Sequence, residues 1–470
     1  MFLSILVGYA CYYLTRNSLT FTAPVMVATP ELGLTISSIG LITSIFPLCY
    51  GCSKFVSGVV GDYLSPGVML GAGLALTGLV NVLFGASHSL TLFCVLWASN
   101  GILQGWGAPA CAKILTAWFA TGERGTYWGM WNIAHNLGGF SAPILAGTAA
   151  RTFGWQWGLW APGLIGIVVG LLILATLKDS PEAAGFPAVE DAAAAAQAKA
   201  AKAAAVESSS PGEPQLSLME NLRKNVLTNP AIWGLALTYF CVYIVRQGIT
   251  SWSVFYLIKE KGVADAGAAA LRVSGLEIGG LAGSLLAGRL SDAAIAAGGP
   301  GGAVGKRVKV VMGYLFALAA CLLAFRASPP GVGWLQTVTI FAIGFCLYGP
   351  QSACRSRRAP RAGGSASRPL HARRSHTPLF TLPVLIGLCG AEIVGRKSVG
   401  ASEGFLGWVA YLGAANAGVP LSLLVQQFGW DAFFATMVGA SAVALLLLAP
   451  LANAKSFVQR EKEAAARKLA

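Results

Sequence analysis

Residues 2–27 read FLSILVGYACYYLTRNSLTFTAPVMV and carry a single charge, Arg16, close to the middle. Residues 230–258 read PAIWGLALTYFCVYIVRQGITSWSVFYLI, again with one charge, Arg246, near the middle. A helix rises about 1.5 Å per residue, so either run is long enough to cross a hydrocarbon core of about 30 Å. The two runs are also related. Adding 230 to Tyr9, Tyr13 and Arg16 gives Tyr239, Tyr243 and Arg246, and the same offset carries Gly58 and Asp62 to Gly288 and Asp292. Five chemically distinctive identities at one offset mark two parallel repeats, an arrangement found in membrane carriers.

Outward from these two runs, apolar stretches of similar length recur to both ends of the chain. We expect spans near 2–27, 37–61, 67–87, 90–118, 127–149, 157–177, 230–258, 267–290, 308–326, 334–351 with 384–394, 399–427 and 430–452. Ten-residue alternating segments, the mark of a membrane barrel, are absent. The expected fold class is an all-α membrane protein of twelve helices in two six-helix repeats. Composition agrees: of 470 residues, 55% are hydrophobic and 11% charged, whereas a soluble domain carries about 25% charged residues. The expected divisions are an N-terminal bundle at 1–177, a linker at 178–229, a C-terminal bundle at 230–454 and a tail at 455–470. The linker is Ala-rich and then Ser/Pro-rich, the composition of a flexible connection.

The net charge of +14 follows topology. Lys178, Arg223 and Lys224 lie in the linker, and Arg124, Lys306, Arg307, Arg396 and Lys397 in even-numbered turns. Lys455, Arg460, Lys462, Arg467 and Lys468 lie in the tail. By the positive-inside rule, both termini and the linker are expected to be cytoplasmic. The basic excess is therefore read as orientation and not as a nucleic-acid surface. Nine of ten cysteines sit in apolar runs, and Cys49-x-x-Cys52, mid-helix, reads as small core residues and not as a redox or metal pair. The chain starts almost inside its first helix, so no separable signal or transit peptide is expected, and the choice of membrane stays open.

One segment breaks the repeat. The turn matching Glu123-Arg124 falls about 40 residues late, at Gly395-Arg396-Lys397. The surplus is mostly residues 352–383, SACRSRRAPRAGGSASRPLHARRSHTPLFTLP, with seven arginines and no acid. Seven arginines within a span would be very costly. Deleting the segment rejoins FCLYGPQ to VLIGLCGAEIV as one apolar helix. The expectation is a gene-model error such as a retained intron, or a loop extruded into water.

Arginine near a bilayer centre is expensive unless it faces a cavity. Arg16 and Arg246, on equivalent helices, are thus read as a positive clamp at the midplane. Guanidinium forks match phosphate oxygens in a bidentate way. The competing reading pairs each with a buried acid, for which Glu277 and Glu403 are the candidates near Arg246. Tyr9 and Tyr13 share a helix face with Arg16, at i, i+4 and i+7, where they either bind ligand oxygens or pack. Lys54, one turn after Tyr50, either reaches the cavity or snorkels to the interface. His135 and Asn132, in WNIAHNLGG, are further ligand candidates. Gly58 with Asp62, and Gly288 with Asp292, mark the turns after the second and eighth helices. There glycine permits close packing and the acid caps or latches neighbouring helix ends.

This G-x-x-x-D pattern at paired turns resembles the signature of the major facilitator superfamily. The basic residues usual after it are missing in Tyr63-Leu64-Ser65-Pro66. Within that superfamily GYACYYLTRNS, YGCSKFVSGVVGD, QGWGAPACAKILTAWF, ERGTYWGMWNIAHNLGG, YIVRQGITSWSVFYL and FGWDAFF are similar to the organophosphate:phosphate antiporters. The likeness runs through nearly the whole chain except the linker and 352–383, and leans towards the hexose-phosphate sensor and transporter branch. The resemblance implies that Arg16 and Arg246 hold the phosphate. It also implies supporting roles for Tyr13, Lys54, His135, Asn132 and Tyr243, and for Tyr348 and Tyr411. Hexose-phosphate transporters resemble GASEGFLGW but carry an acid and a base three residues apart. Here Glu403 is present and Leu406 replaces the base, which leaves sugar selectivity, and carrier against sensor, open.

The expected function is exchange of a sugar phosphate, glucose-6-phosphate first, for inorganic phosphate by alternating access. The alternatives are another organophosphate such as glycerol-3-phosphate, or a sugar-phosphate receptor. No nucleophile–base constellation, metal spacing or ATP site is seen, so neither enzyme chemistry nor a cofactor is expected. The expected partners are the small-molecule organophosphate, phosphate and the lipid bilayer, with the protein a monomer.

Overall fold

A computed structural model describes residues 1–60, 64–119, 124–187, 226–296, 302–348, 386, 389–390, 393–394, 399–456 and 459. No strand occurs among them. The helices of the first half are α1 (Phe2–Ala28), α2 (Ile36–Val60), α3 (Pro66–Gly85), α4 (Leu90–Gln104), α5 (Gly107–Trp118), α6 (Arg124–Ala142), α7 (Thr148–Phe153) and α8 (Trp155–Thr176). A π-helical segment, Pro143–Gly147, joins α6 to α7. The second half holds α9 (Pro230–Lys259), α10 (Ala266–Val273), α11 (Gly275–Ala296), α12 (Ala303–Ala327), α13 (Gly333–Tyr348), α14 (Val399–Asn416) and α15 (Val419–Leu448).

These helices follow the expected order of crossings. The fourth is interrupted between Gln104 and Gly107 and the eighth at Ser274. The eleventh, expected over 399–427, is interrupted as well. It breaks between Asn416 and Val419, where Gly418 lies against α2 and Pro420 follows in the new first turn. Proline lacks the N–H that a continuing helix would use. Gly429, at φ 75°, then turns the chain from the eleventh crossing into the twelfth within α15. Start signals are local and simple. Ser65 accepts the Val68 N–H at 3.3 Å, Asn229 the Ala231 N–H at 3.0 Å, and Asp265 the Ala268 N–H at 2.9 Å. Such side-chain caps satisfy N–H groups that have no partner within the helix.

By length and apolarity alone, six stretches qualify as spans among the described residues, one of them the 48-residue run Gly404–Leu451 that turns at Gly429. The chain is an integral, multi-pass membrane protein. Among the other crossings, α13 is apolar but only 16 residues long, the fourth is divided into shorter helices, and α1 carries Thr15, Arg16, Asn17 and Ser18 in succession.

Within each half, small residues let backbones approach, as membrane helices require without a hydrophobic drive between them. A Cβ on Gly78 of α3 would stand 2.7 Å from the Ile167 amide of α8, and one on Gly344 of α13 would stand 2.8 Å from the Leu276 carbonyl carbon. Between the halves, α2 packs on α14 and α15, while α6, the π segment and α7 pack on α10 and α11. These are the second and eleventh crossings and the fifth and eighth, the pairing that a twofold-related duplication produces. At one end of this seam Ser37 Oγ donates to Gln426 at 2.8 Å, Ser44 Oγ to the Ala415 carbonyl at 2.7 Å, and Arg151 pairs with Asp265 at 3.4 Å. That end, where α1 finishes and α2 begins, is called the far face below.

Cys52 departs from expectation. It is exposed on the outside of α2 and Cys49 is half-buried, because the buried stripe of that helix runs through Ser53 and Ser57, which donate to the Ile102 and Gly105 carbonyls of the fourth crossing. The expected linker lies largely outside the described residues, as do segment 352–383 and Asp62.

Candidate functional site

A cavity of about 90 Å³ lies between the halves, with Arg16 and Arg246 both in its wall. At roughly 10–15 Å³ of such space per water, it holds several small groups. α1 brings Tyr13, Arg16 and Asn17 to it, and α9 brings Tyr243, Arg246 and Gln247, at the positions the 230-residue offset relates. Tyr348 from α13, Tyr411 from α14 and Glu277 from α11 also line it, with Phe46 from α2 and Trp97 from α4.

Each guanidinium is framed by aromatic faces. The central carbon of Arg16 stands 4.6 Å from the Tyr13 ring centre and 4.3 Å from that of Tyr50, with Phe46 at 5.5 Å. Arg246 stands 4.8 Å from Tyr348 and 5.6 Å from Tyr243. Such contacts favour a cation where water is scarce. The rings also touch one another. Tyr50 meets Tyr411 at 4.8 Å and Tyr411 meets Tyr243 at 5.5 Å, edge to face. An aromatic path thus runs from Arg16 through Tyr50, Tyr411 and Tyr243 to Arg246, across the boundary between halves. Gly51 permits the crossing, since a Cβ there would stand 3.0 Å from the Tyr411 Cβ.

Among the described residues, neither arginine has a carboxylate within 4.0 Å. Of the two acids expected to compete for Arg246, Glu277 accepts a hydrogen bond from Tyr348 Oη at 2.7 Å. Arg16 is held by a neutral group instead, its Nη2 donating to Gln104 Oε1 at 3.3 Å.

The other expected site residues distribute around this centre. Lys54 stands with its Nζ 5.8 Å from the Tyr411 ring, away from the far face, so it points at the boundary between halves. His135 lies 5.6 Å from Tyr13, ring to ring, and its Nε2 is 3.1 Å from Asn136 Nδ2. Tyr9 does not line the cavity. It is buried, 4.5 Å from Trp131, and stands behind Tyr13 at 5.5 Å. Gly58 and Gly288 have helical backbone in α2 and α11. The side chains of Asn132, Glu403 and Asp292 lie outside the described residues. Leu406, where the family resemblance expects a base, is wholly buried in the apolar core.

Sequence reading missed Gln104 and Tyr50 as partners of Arg16. Tyr50 sits one turn before Lys54 on the same helix face, a spacing that could have flagged it. Gln104 ends α4, 88 positions from Arg16, and no local spacing connects the two. No group of three or more His, Cys, Asp or Glu residues is placed to hold a metal among the described residues.

Comparison with known proteins places this architecture. A family model described as the Major Facilitator Superfamily matches residues 5–367. A probable hexose phosphate transport protein of Chlamydia trachomatis is 36% identical over 456 residues, covering 97% of this chain and 91% of that protein. The membrane sensor protein UhpC of Escherichia coli is 36% identical over 459 residues, covering 97% and 92%. The crystal structure of a bacterial homologue of the human lysosomal transporter Spinster, inward-facing and unoccupied, superposes with a TM-score of 0.67. Its identity is 16%, and the match covers 96% of this chain and 94% of that one.

Proposed function

We propose that this chain, which belongs to the Major Facilitator Superfamily in its organophosphate:phosphate antiporter branch, exchanges a sugar phosphate for inorganic phosphate, with glucose-6-phosphate the first candidate. It is a transporter of organophosphates and not an enzyme. The observation that carries the finer reading is the pair Arg16 and Arg246, facing one cavity from equivalent helices with no carboxylate paired to either among the described residues. Arg16, Arg246 and Lys54 against Glu277 leave a formal surplus of two positive charges around the site. A phosphomonoester carries about −1.5 to −2 at neutral pH. The charges match.

The cycle follows from the same charges. Phosphate bound between the forks neutralises them, and the halves can then rock about the α2–α14/α15 and α6–α11 seams. An empty clamp resists closure, because two like charges approach one another where dielectric screening is weak. Movement then requires cargo in both directions, which makes the cycle an exchange. The far-face contacts of Ser37, Ser44 and Arg151 close one end in this state, and the arrangement of basic residues puts the other end in the cytoplasm.

A receptor for sugar phosphate is the second reading, supported by the likeness to a membrane sensor protein and by apolar Leu406 in the core. Counterflow in proteoliposomes separates the two. Vesicles loaded with phosphate should accumulate labelled phosphate through the purified chain, and glucose-6-phosphate should compete best. Binding of sugar phosphate without counterflow would establish the receptor instead. Strongest competition by glycerol-3-phosphate or phosphoenolpyruvate would move the cargo within the same mechanism.

A further inference from the structure

Gln104 has no role in the exchange described so far, yet three hydrogen bonds anchor it beside Arg16. It is 1% exposed, at the end of α4. Its Nε2 donates to the Tyr12 carbonyl at 3.0 Å and to Thr15 Oγ1 at 3.1 Å. Thr15 spends its own proton on the Cys11 and Tyr12 carbonyls, at 3.0 and 3.1 Å, so its oxygen is free to accept. Two acceptors on α1 therefore face the amide nitrogen. That fixes which end of the amide points at Arg16: the oxygen, 3.3 Å from Nη2. The result is a closed circuit in which the backbone of α1 orients a side chain of α4, and that side chain holds an arginine of α1.

The chemistry of the acceptor matters as much as its position. A carboxylate at this place would hold a guanidinium more tightly, and it would also cancel the charge that an anion has to meet. An amide oxygen accepts the hydrogen bond and cancels nothing. Tyr13 and Tyr50 limit the guanidinium on its flat faces, at 4.6 and 4.3 Å. Gln104 supplies the edge restraint, which ring faces cannot. The buried Nε of Arg16 has no hydrogen-bond partner among the described residues, so the protein does not saturate this fork. Arg246 is treated differently, beside a tyrosine that bonds a carboxylate.

We propose that Gln104 is a positioning residue for anion binding: an uncharged acceptor that holds the edge of the Arg16 fork while leaving its full charge to the ligand. This rests on the reading of Arg16 as a phosphate ligand.

The test uses full-length chain in proteoliposomes, with inorganic phosphate as the probe and with Gln104→Glu, Gln104→Leu and Arg16→Lys measured in parallel. Gln104→Glu keeps the shape and brings a negative charge against Arg16. Gln104→Leu keeps approximate volume and removes the acceptor. Both should insert at parental levels and raise the KM for phosphate at least tenfold, with the maximal rate within about threefold of the parent. Glu also lacks the N–H groups that meet the Tyr12 carbonyl and Thr15 Oγ1, so a purely structural role would appear as lost insertion and not as a raised KM in the inserted fraction. Hence a parental KM in Gln104→Glu overturns the proposal, as does a loss confined to insertion with parental KM in the inserted fraction. If Arg16→Lys is disabled while Gln104→Glu behaves as the parent, only the positioning role falls. If Arg16→Lys keeps the parental KM, the phosphate reading of Arg16 falls with it.

Discussion

Replacing Arg16 with lysine keeps the charge and removes the fork. The guanidinium lies 4.6 and 4.3 Å from two ring centres and donates to Gln104 at 3.3 Å, so its plane is defined before any ligand arrives. An ammonium can take one phosphate oxygen where the fork takes two. It also ends short of the Gln104 oxygen or of the ligand, since one point charge cannot serve both. One lost hydrogen bond to a charged partner amounts to about 1.5–3 kcal/mol, or roughly a 10- to 150-fold rise in KM for phosphate. The assay is counterflow of labelled phosphate into phosphate-loaded proteoliposomes across a range of external concentrations, normalised to inserted protein. A KM within about threefold of the parent, under roughly 0.7 kcal/mol, would refute the bidentate argument.

Other consequences are as concrete. Tyr348→Phe removes the hydroxyl that engages Glu277 at 2.7 Å and frees a carboxylate beside Arg246; KM for phosphate should rise about tenfold, for about 1–2 kcal/mol, and an unchanged KM contradicts this. Ser44→Ala removes the bonds to the Ala415 carbonyl and the Val419 N–H, both at 2.7 Å. Opening at the far face should become easier by about 1–2 kcal/mol, read as a roughly 5- to 30-fold faster labelling of a cysteine placed at Thr43 in a background cleared of native cysteines. Gly78→Leu drives a side chain into the α8 backbone, whereas Gly313→Leu meets nothing within 4 Å; the first should lose membrane insertion and the second should not, measured by detergent-extracted yield. For residues 352–383, sequencing of the mature transcript decides: a message without these codons supports a retained intron, and their presence removes that explanation.

The membrane fold was legible along the chain because lipid imposes a one-dimensional rule. Every crossing must be apolar for about 20 residues with its backbone bonds internal, so length and polarity suffice to find most of them. The tolerance of that rule also explains what it leaves undetermined. The break at Asn416–Val419 depends on how closely Gly418 approaches α2, a contact between residues about 375 positions apart, and an apolar run looks the same whether its helix is continuous or not. The outward position of Cys52 was equally hidden, since lipid-facing and core-facing surfaces are both apolar in a membrane helix.

For the site, Arg16 and Arg246 could be named from sequence because desolvated charge is expensive, and duplication displays the same exception twice at one offset. Their surroundings could not. Gln104, Tyr50 and the engagement of Glu277 by Tyr348 come from helices brought together by packing, and a glutamine or tyrosine at a helix end carries no mark of the partner it will meet. Isolated polar residues in apolar helices thus announce that a cavity exists. Which of them share it, and which charge is left unpaired to meet an anion, depends on how helices distant in the chain are pressed side by side.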